Sequence, residues 1–200
     1  MEADSYLTIK ERSEGLFKSK GSKHFGYAFP VTSEDDVKKC LNQIRSEHHS
    51  ARHHCYAYRL KYDGSVFRSN DDGEPNNLAG PPILGVLKSH HLTETLIIVV
   101  RYFGGTKLGV SGLIEAYREA GNDAISNGTI ITKVRSKAFR ISYPYSLMGE
   151  IMNILKRFGI SPKNTNFQMD CKLDATVRLS DSDSFENSIN DIIGAEIEQI

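Results

Sequence analysis

The chain has 200 residues and balanced charge, with Lys+Arg 25 against Asp+Glu 25. This excludes a global basic field for nucleic acid, so any such site is a local patch. Cys40, Cys55 and Cys171 are widely spaced and odd in number, which predicts a reducing interior and no disulfide framework. The acidic start, Met1-Glu2-Ala3-Asp4-Ser5, shows no apolar signal region, and the longest apolar run, Leu96 to Val100, is too short to span a bilayer. These features predict a soluble cytoplasmic protein with no membrane partner.

Tyr6 to Ile9, Gly15 to Lys18 and His24 to Phe29 are successive strand candidates, the last ended by Pro30. Ser33-Glu34-Asp35-Asp36 supplies an N-cap and first-turn acids, and Val37, Cys40, Leu41, Ile44 and His48 continue one apolar helix face. Alternation over Arg52 to Leu60 predicts a strand with His53, Cys55 and Ala57 on one face and His54, Tyr56 and Tyr58 on the other. Asp63-Gly64 signals a hairpin returning through Ser65 to Arg68. A polar loop, Ser69 to Asn77, precedes a helix carrying Ile83, Leu84 and Leu87 and beginning near Pro81-Pro82.

Leu96 to Phe103 is a β-branched apolar run that reads as a strand buried on both faces. Gly104-Gly105-Thr106-Lys107-Leu108-Gly109-Val110-Ser111-Gly112 follows as a loop, then a helix from Leu113 with Tyr117, Ala120 and Ala124 on its apolar face. Strand end, glycine turn and helix start aim backbone N–H groups at one spot, which suits an anion, with Arg101 and Lys107 adding charge. A turn that merely needs tight packing is the other reading. Lys107-Leu108 does not complete a phosphate-loop motif, and no G-x-G-x-x-G is present.

After Thr129 to Val134, read as a short linker, Phe139 to Tyr143, a helix from Ser146 to Phe158, a long alternation from Phe167 to Leu179 split by a hairpin near Met169-Asp170-Cys171, a helix from Asp181 to Ile193, and Ala195 to Ile200 give the order β-α-β-β-α-β. That order predicts a ferredoxin-like split βαβ domain.

Two further clusters carry chemistry-bearing side chains. In Arg52-His53-His54-Cys55, His53 and Cys55 share a face but stand two residues apart on a strand, poor spacing for a nucleophile and its base, and no second ligand pair completes a zinc site. Asp71-Asp72-Gly73-Glu74 does not fit a calcium loop. It reads as a solvated turn, a Mg²⁺–phosphate site, or a set of acids that orient the basic residues of the glycine loop.

Three motifs in order, Ala51-Arg52-His53-His54-Cys55, Asp71-Asp72-Gly73-Glu74-Pro75 with Ala79-Gly80, and Val100-Arg101-Tyr102-Phe103-Gly104-Gly105-Thr106-Lys107-Leu108-Gly109, resemble the Impact/YigZ family. The last continues into Gly112-Leu113 and Ala116-Tyr117. Beyond Gly128 the agreement is one of pattern and length. The resemblance implies an α+β protein: an N-terminal Impact domain, residues 1–131, with the α/β fold of the second domain of ribosomal protein S5, then a ferredoxin-like domain, residues 132–200, similar to the last domain of elongation factor G. It departs at Asn76, Asn77, Leu78 and Pro81, where the family usually has a small residue, Gly, Thr and Lys, and at Ser111, where glycine is common and where Ser can cap the helix.

The resemblance further implies a non-enzymatic, translation-associated cytoplasmic regulator that binds RNA or the ribosome. The anion-binding residues would be Arg101, Tyr102, Gly104, Gly105, Lys107, Gly109, Ser111 and Gly112, supported by Arg52, His53, His54, Asp71, Asp72 and Glu74. The alternative is an enzyme acting on a phosphorylated or nucleotide-like small molecule in the Arg52/Asp71/Arg101 region. No catalytic residue, cofactor or metal is expected, and no oligomeric state is assigned.

Overall fold

A computed structural model describes residues 4–200; Met1, Glu2 and Ala3 of the acidic start, and the Phe167 side chain, lie outside the described parts. The chain is mixed α/β and divides into two compact units, Tyr6–Lys133 and Val134–Ile200, the latter including Asp4 and Ser5.

The first unit holds β1 (Ser5–Ile9), β2 (Ser13–Ser19), β3 (Ser22–Pro30), α1 (Glu34–Glu47), β4 (His53–Leu60), β5 (Val66–Asn70), α2 (Gly80–Ser89), β6 (Thr95–Tyr102), α3 (Gly109–Ser126) and β7 (Ile130–Val134). Five strands form one sheet in the order β2-β3-β6-β4-β5, with every neighbouring pair antiparallel. Its central strand, β6, has helices on both faces, which is why its sequence is uninterrupted apolar rather than alternating. Leu96, Ile98 and Val100 pack with Val37, Leu41 and Ile44 of α1. Ile97 and Val99 pack with Ile83, Val86 and Leu87 of α2 and Ala116, Tyr117 and Ala120 of α3. β4 divides its side chains as its alternation predicts, Cys55 and Ala57 to the second core and Tyr56 and Tyr58 to the first.

Local signals fix the ends of these elements. Ser33 caps α1 by accepting from Asp36 N at 3.2 Å. Pro81 and Pro82 occupy the first turn of α2, where no N–H donor is needed. Thr129 to Val134 is not a free linker: it becomes β7, paired with β1 in a two-stranded sheet. The stretch Ile130-Ile131-Thr132-Lys133-Val134 is too short, and alternates too little, to announce that pairing.

The second unit runs β8 (Ser136–Pro144), a 3₁₀ turn (Tyr145–Leu147), α4 (Met148–Arg157), β9 (Lys163–Phe167), β10 (Asp170–Arg178), α5 (Leu179–Asn190) and β11 (Glu196–Gln199). The sheet order is β11-β8-β10-β9, antiparallel throughout. Phe139, Ile141, Leu173 and Ala175 on the strands bury against Ile151, Leu155, Phe185 and Ile189 of the helices. Asp4 belongs to this unit: its carbonyl accepts from Arg135 N at 2.8 Å, and its carboxylate accepts from Ser180 N. Leu179, the last residue of the alternating run, opens α5 instead of closing the strand.

Candidate functional site

The register of the five-stranded sheet sets the site. Arg101 near the end of β6 lies opposite His24 on β3 and opposite His53 on β4. Directly paired residues share a face. The row His24–Arg101–His53 therefore crosses the three middle strands on the α2/α3 side.

Beyond Arg101 the chain turns through Phe103–Leu108 into α3. Two different demands account for its glycines. A Cβ on Gly104 would sit 1.9 Å from the carbonyl carbon of Gly21, so Gly104 serves close approach to the β2–β3 turn, and its N–H donates to Ser22 Oγ at 3.1 Å. Gly105 and Gly109 have φ of +88° and +78° with open space around them, so they serve backbone handedness.

The helix begins four residues earlier than its apolar spacing predicts. Gly109, Val110, Ser111 and Gly112 form its first turn, and Leu108, which has no hydrogen-bonding side chain, occupies the cap position. Ser111 therefore does not cap the helix. Buried Leu108 packs against Gly112, where a Cβ would come within 3.1 Å of the Leu108 Cβ.

A buried ion pair lies under the loop. Arg101 Nη1 donates to Glu74 Oε1 at 2.7 Å, and the Tyr117 hydroxyl donates to the same oxygen at 2.7 Å. Glu74 and Arg101 are 7% and 9% exposed, so an unpaired charge here would be costly. Arg101 Nε is buried with no hydrogen-bond partner among the described residues. His24 is fully buried and meets the Tyr117 ring edge-on at 5.2 Å between centroids. Burial, then the Arg101 charge, pushes the His24 imidazole down to about 4, with Glu74 and the Phe17 backbone acting weakly the other way. Burial raises Tyr117, as do nearby Cys55 and Glu74. The Cys55 thiol is likewise raised by burial and points its S–H at Asp71 O, 3.0 Å away.

The acidic loop is spent on structure, as the reading in which acids orient basic residues requires of Glu74. Asp71 Oδ1 accepts from Ala79 N at 2.9 Å and Gly80 N at 2.8 Å, and Oδ2 accepts from Asn77 N at 3.0 Å. It thereby caps α2, whose own cap residue, Ala79, cannot. Asp72 Oδ2 accepts from His54 N at 2.7 Å. The Asp72 carbonyl takes His53 Nδ1 at 2.9 Å, and a carbonyl only accepts, so the neutral ring carries its proton there. The three acids point to separate tasks, and no group of three metal-ligating side chains occurs among the described residues.

Loop, strand end and acidic segment enclose a cavity of about 770 Å³. Its buried lining includes Arg101, Glu74, Leu108 and Leu113; Arg52, Phe103, Lys107 and Val110 line its exposed part. Of the residues expected from sequence, Arg52, His53, Glu74, Arg101, Tyr102, Lys107 and Gly109 converge on it. Gly104 and Gly105 shape the loop. Ser111, Gly112, His54, Asp71 and Asp72 stand outside the lining. His54 faces the α1 core, with burial lowering its pKa. Tyr102 turns its hydroxyl to His48 Nδ1 at 3.0 Å, and Tyr27 OH lies 2.6 Å from the other ring nitrogen. His24 and Tyr117 are the site residues that spacing alone misses, because only register and the α3 packing bring them to Glu74.

A mixed α/β chain with a cation-edged cavity beside a glycine loop thus carries all three motifs in one place. Residues 20–125 match the Impact N-terminal domain, and the chain belongs to the Impact family. It is 29% identical over 188 residues to the Impact family member YvyE of Bacillus subtilis (strain 168), covering 94% of this chain and 87% of that protein. It is 32% identical over 161 residues to the family member YigZ of Escherichia coli (strain K12), covering 70% and 79%. A crystal structure of a hypothetical protein superposes with a TM-score of 0.70 at 26% identity, covering 98% of each chain.

Proposed function

We propose that this chain is a non-enzymatic, translation-associated cytoplasmic protein that binds RNA through the glycine-loop cavity, alone or on the ribosome. The observation that carries the reading is the convergence of Arg52, Arg101 and Lys107 with the start of α3 on one concavity. Backbone donors at a helix start and two exposed cations favour phosphate without requiring net positive charge elsewhere. Two groups that could act as base or nucleophile are occupied, Glu74 by Arg101 and Tyr117 and Cys55 by burial, whereas His53, with its proton held on Nδ1 by Asp72, keeps the Nε2 lone pair. Family membership supports the translational setting implied by the motif resemblance.

In this reading residues 1–131 are the Impact domain, similar in fold to the second domain of ribosomal protein S5, and residues 132–200 are ferredoxin-like. The second unit's βαββαβ order, with its first and third strands central, supports the latter. One observation favours the alternative, an enzyme of phosphorylated small molecules: the site is a pocket with a buried charged pair rather than a shallow groove.

The experiment is RNA and ribosome binding measured against salt. Lys107→Ala should weaken binding to all sequences and flatten the log–log salt slope by about 0.7–0.9. A folded Lys107→Ala protein with unchanged affinity and slope removes the loop from RNA binding. Wild type that binds neither RNA nor ribosomes at low salt removes the function itself.

A further inference from the structure

We infer that the cavity takes one terminal nucleotide of an RNA, its phosphate toward Lys107 and Arg52 and its base against Phe103. This rests on the RNA-binding reading and specifies which part of the RNA the site holds. A volume of about 770 Å³ falls in the roughly 300–1,000 Å³ range of small-ligand pockets, room for a nucleotide. A chain end can enter such a concavity, whereas an internal nucleotide must be extruded from both neighbours at a cost in unstacking.

The lining matches the parts of a nucleotide. Lys107 and Arg52 are exposed cations at the opening. Phe103 is 60% exposed beside the Arg101 guanidinium, whose Cζ lies 5.5 Å from the ring centroid. One ring is thus available to a base, and base–aromatic stacking tolerates any sequence. Deeper in, the cavity is walled by buried Arg101, Glu74, Leu108 and Leu113. Phosphate alone satisfies the opening and leaves the depth unfilled.

The test uses the full chain with a linear RNA dodecamer carrying a terminal phosphate, a circular RNA of the same sequence, the four nucleoside monophosphates, and inorganic phosphate, by calorimetry and fluorescence competition. The linear RNA should bind at least about tenfold tighter than the circle, since the circle has no end to insert. Monophosphates should displace the linear RNA at lower concentration than inorganic phosphate. Phe103→Ala should weaken monophosphate binding roughly five- to tenfold, in the range that loss of one stacked base gives, and leave inorganic phosphate binding unchanged. Equal binding of circle and line, both salt-dependent, overturns end recognition and leaves RNA binding standing. Monophosphate binding without binding of either RNA overturns both and points to a small-molecule site. A Phe103→Ala protein that binds monophosphates like wild type overturns the placement of the base even when ends are preferred.

Discussion

His24 should make the fold acid-labile, and the size of the effect follows from its surroundings. The ring is fully buried, and among the described residues neither nitrogen has a hydrogen-bond partner. Arg101 holds a positive charge opposite it in register. Its folded value is about 4 against an ordinary 6.5. The unfolded chain therefore binds the extra proton first as pH falls, so stability drops from about pH 6.5 and levels off near the folded value. The full difference is about 3 kcal/mol, of which about 2 kcal/mol is lost between pH 7 and pH 5. The perturbation is His24→Leu, of similar size and without ring nitrogens, so it should cost little at pH 7. Urea unfolding of both proteins at several pH values gives the difference curve. Wild type should lose about 2 kcal/mol more than His24→Leu by pH 5, and its His24 ring resonances should titrate near 4. Parallel pH profiles, or a His24 midpoint near 6.5, would refute the reasoning.

Other substitutions separate packing from chemistry. Gly104→Ala, which drives a Cβ into the Gly21 backbone, should cost about 3 kcal/mol in urea unfolding. Gly105→Ala meets only an unfavourable φ and should cost about 1 kcal/mol. Asp71→Ala strips three backbone amides of their acceptor and should cost about 2 kcal/mol, while millimolar Mg²⁺ should leave the wild-type Tm unchanged. Cys55→Ala should cost roughly 1 kcal/mol and keep RNA binding; alkylation of the folded protein, read by mass spectrometry, should mark half-buried Cys40 before Cys55 or Cys171.

The strands and helices were legible where local chemistry decides them. β6 announced itself because both faces are buried, α1 because Ser33 and its acids mark the start, and β4 because its alternation separates two cores. The glycine loop, Arg101 and Glu74 were legible as motif residues. That the acids orient the loop's basic residues was one of the open readings; which acid meets Arg101 was not legible, since Glu74 and Arg101 are joined only after β4, β6 and the acidic loop are assembled. The same holds for His24, whose strand is readable but whose neighbour across the sheet is a matter of register. The start of α3 was misplaced because its first turn, Gly109 to Gly112, holds two glycines and follows a cap residue, Leu108, with no capping side chain. β7 escaped notice because five residues with a partner more than a hundred positions away carry no local signal.

The second compact unit is built from both ends of the chain, and this bears on its order of assembly. Asp4 is made about 130 residues or more before Arg135 and Ser180, whose amides its acceptors serve. During synthesis the N-terminal residues emerge long before their partners, while Tyr6–Lys133 has all of its own strands and can fold as a unit. The last strand of that unit's two-stranded sheet, β7, ends where the second unit begins. Closing it brings β1, and with it the waiting Asp4, beside the newly made segment. The early end of the chain thus serves as a clasp fastened late, after the residues that need it have been made.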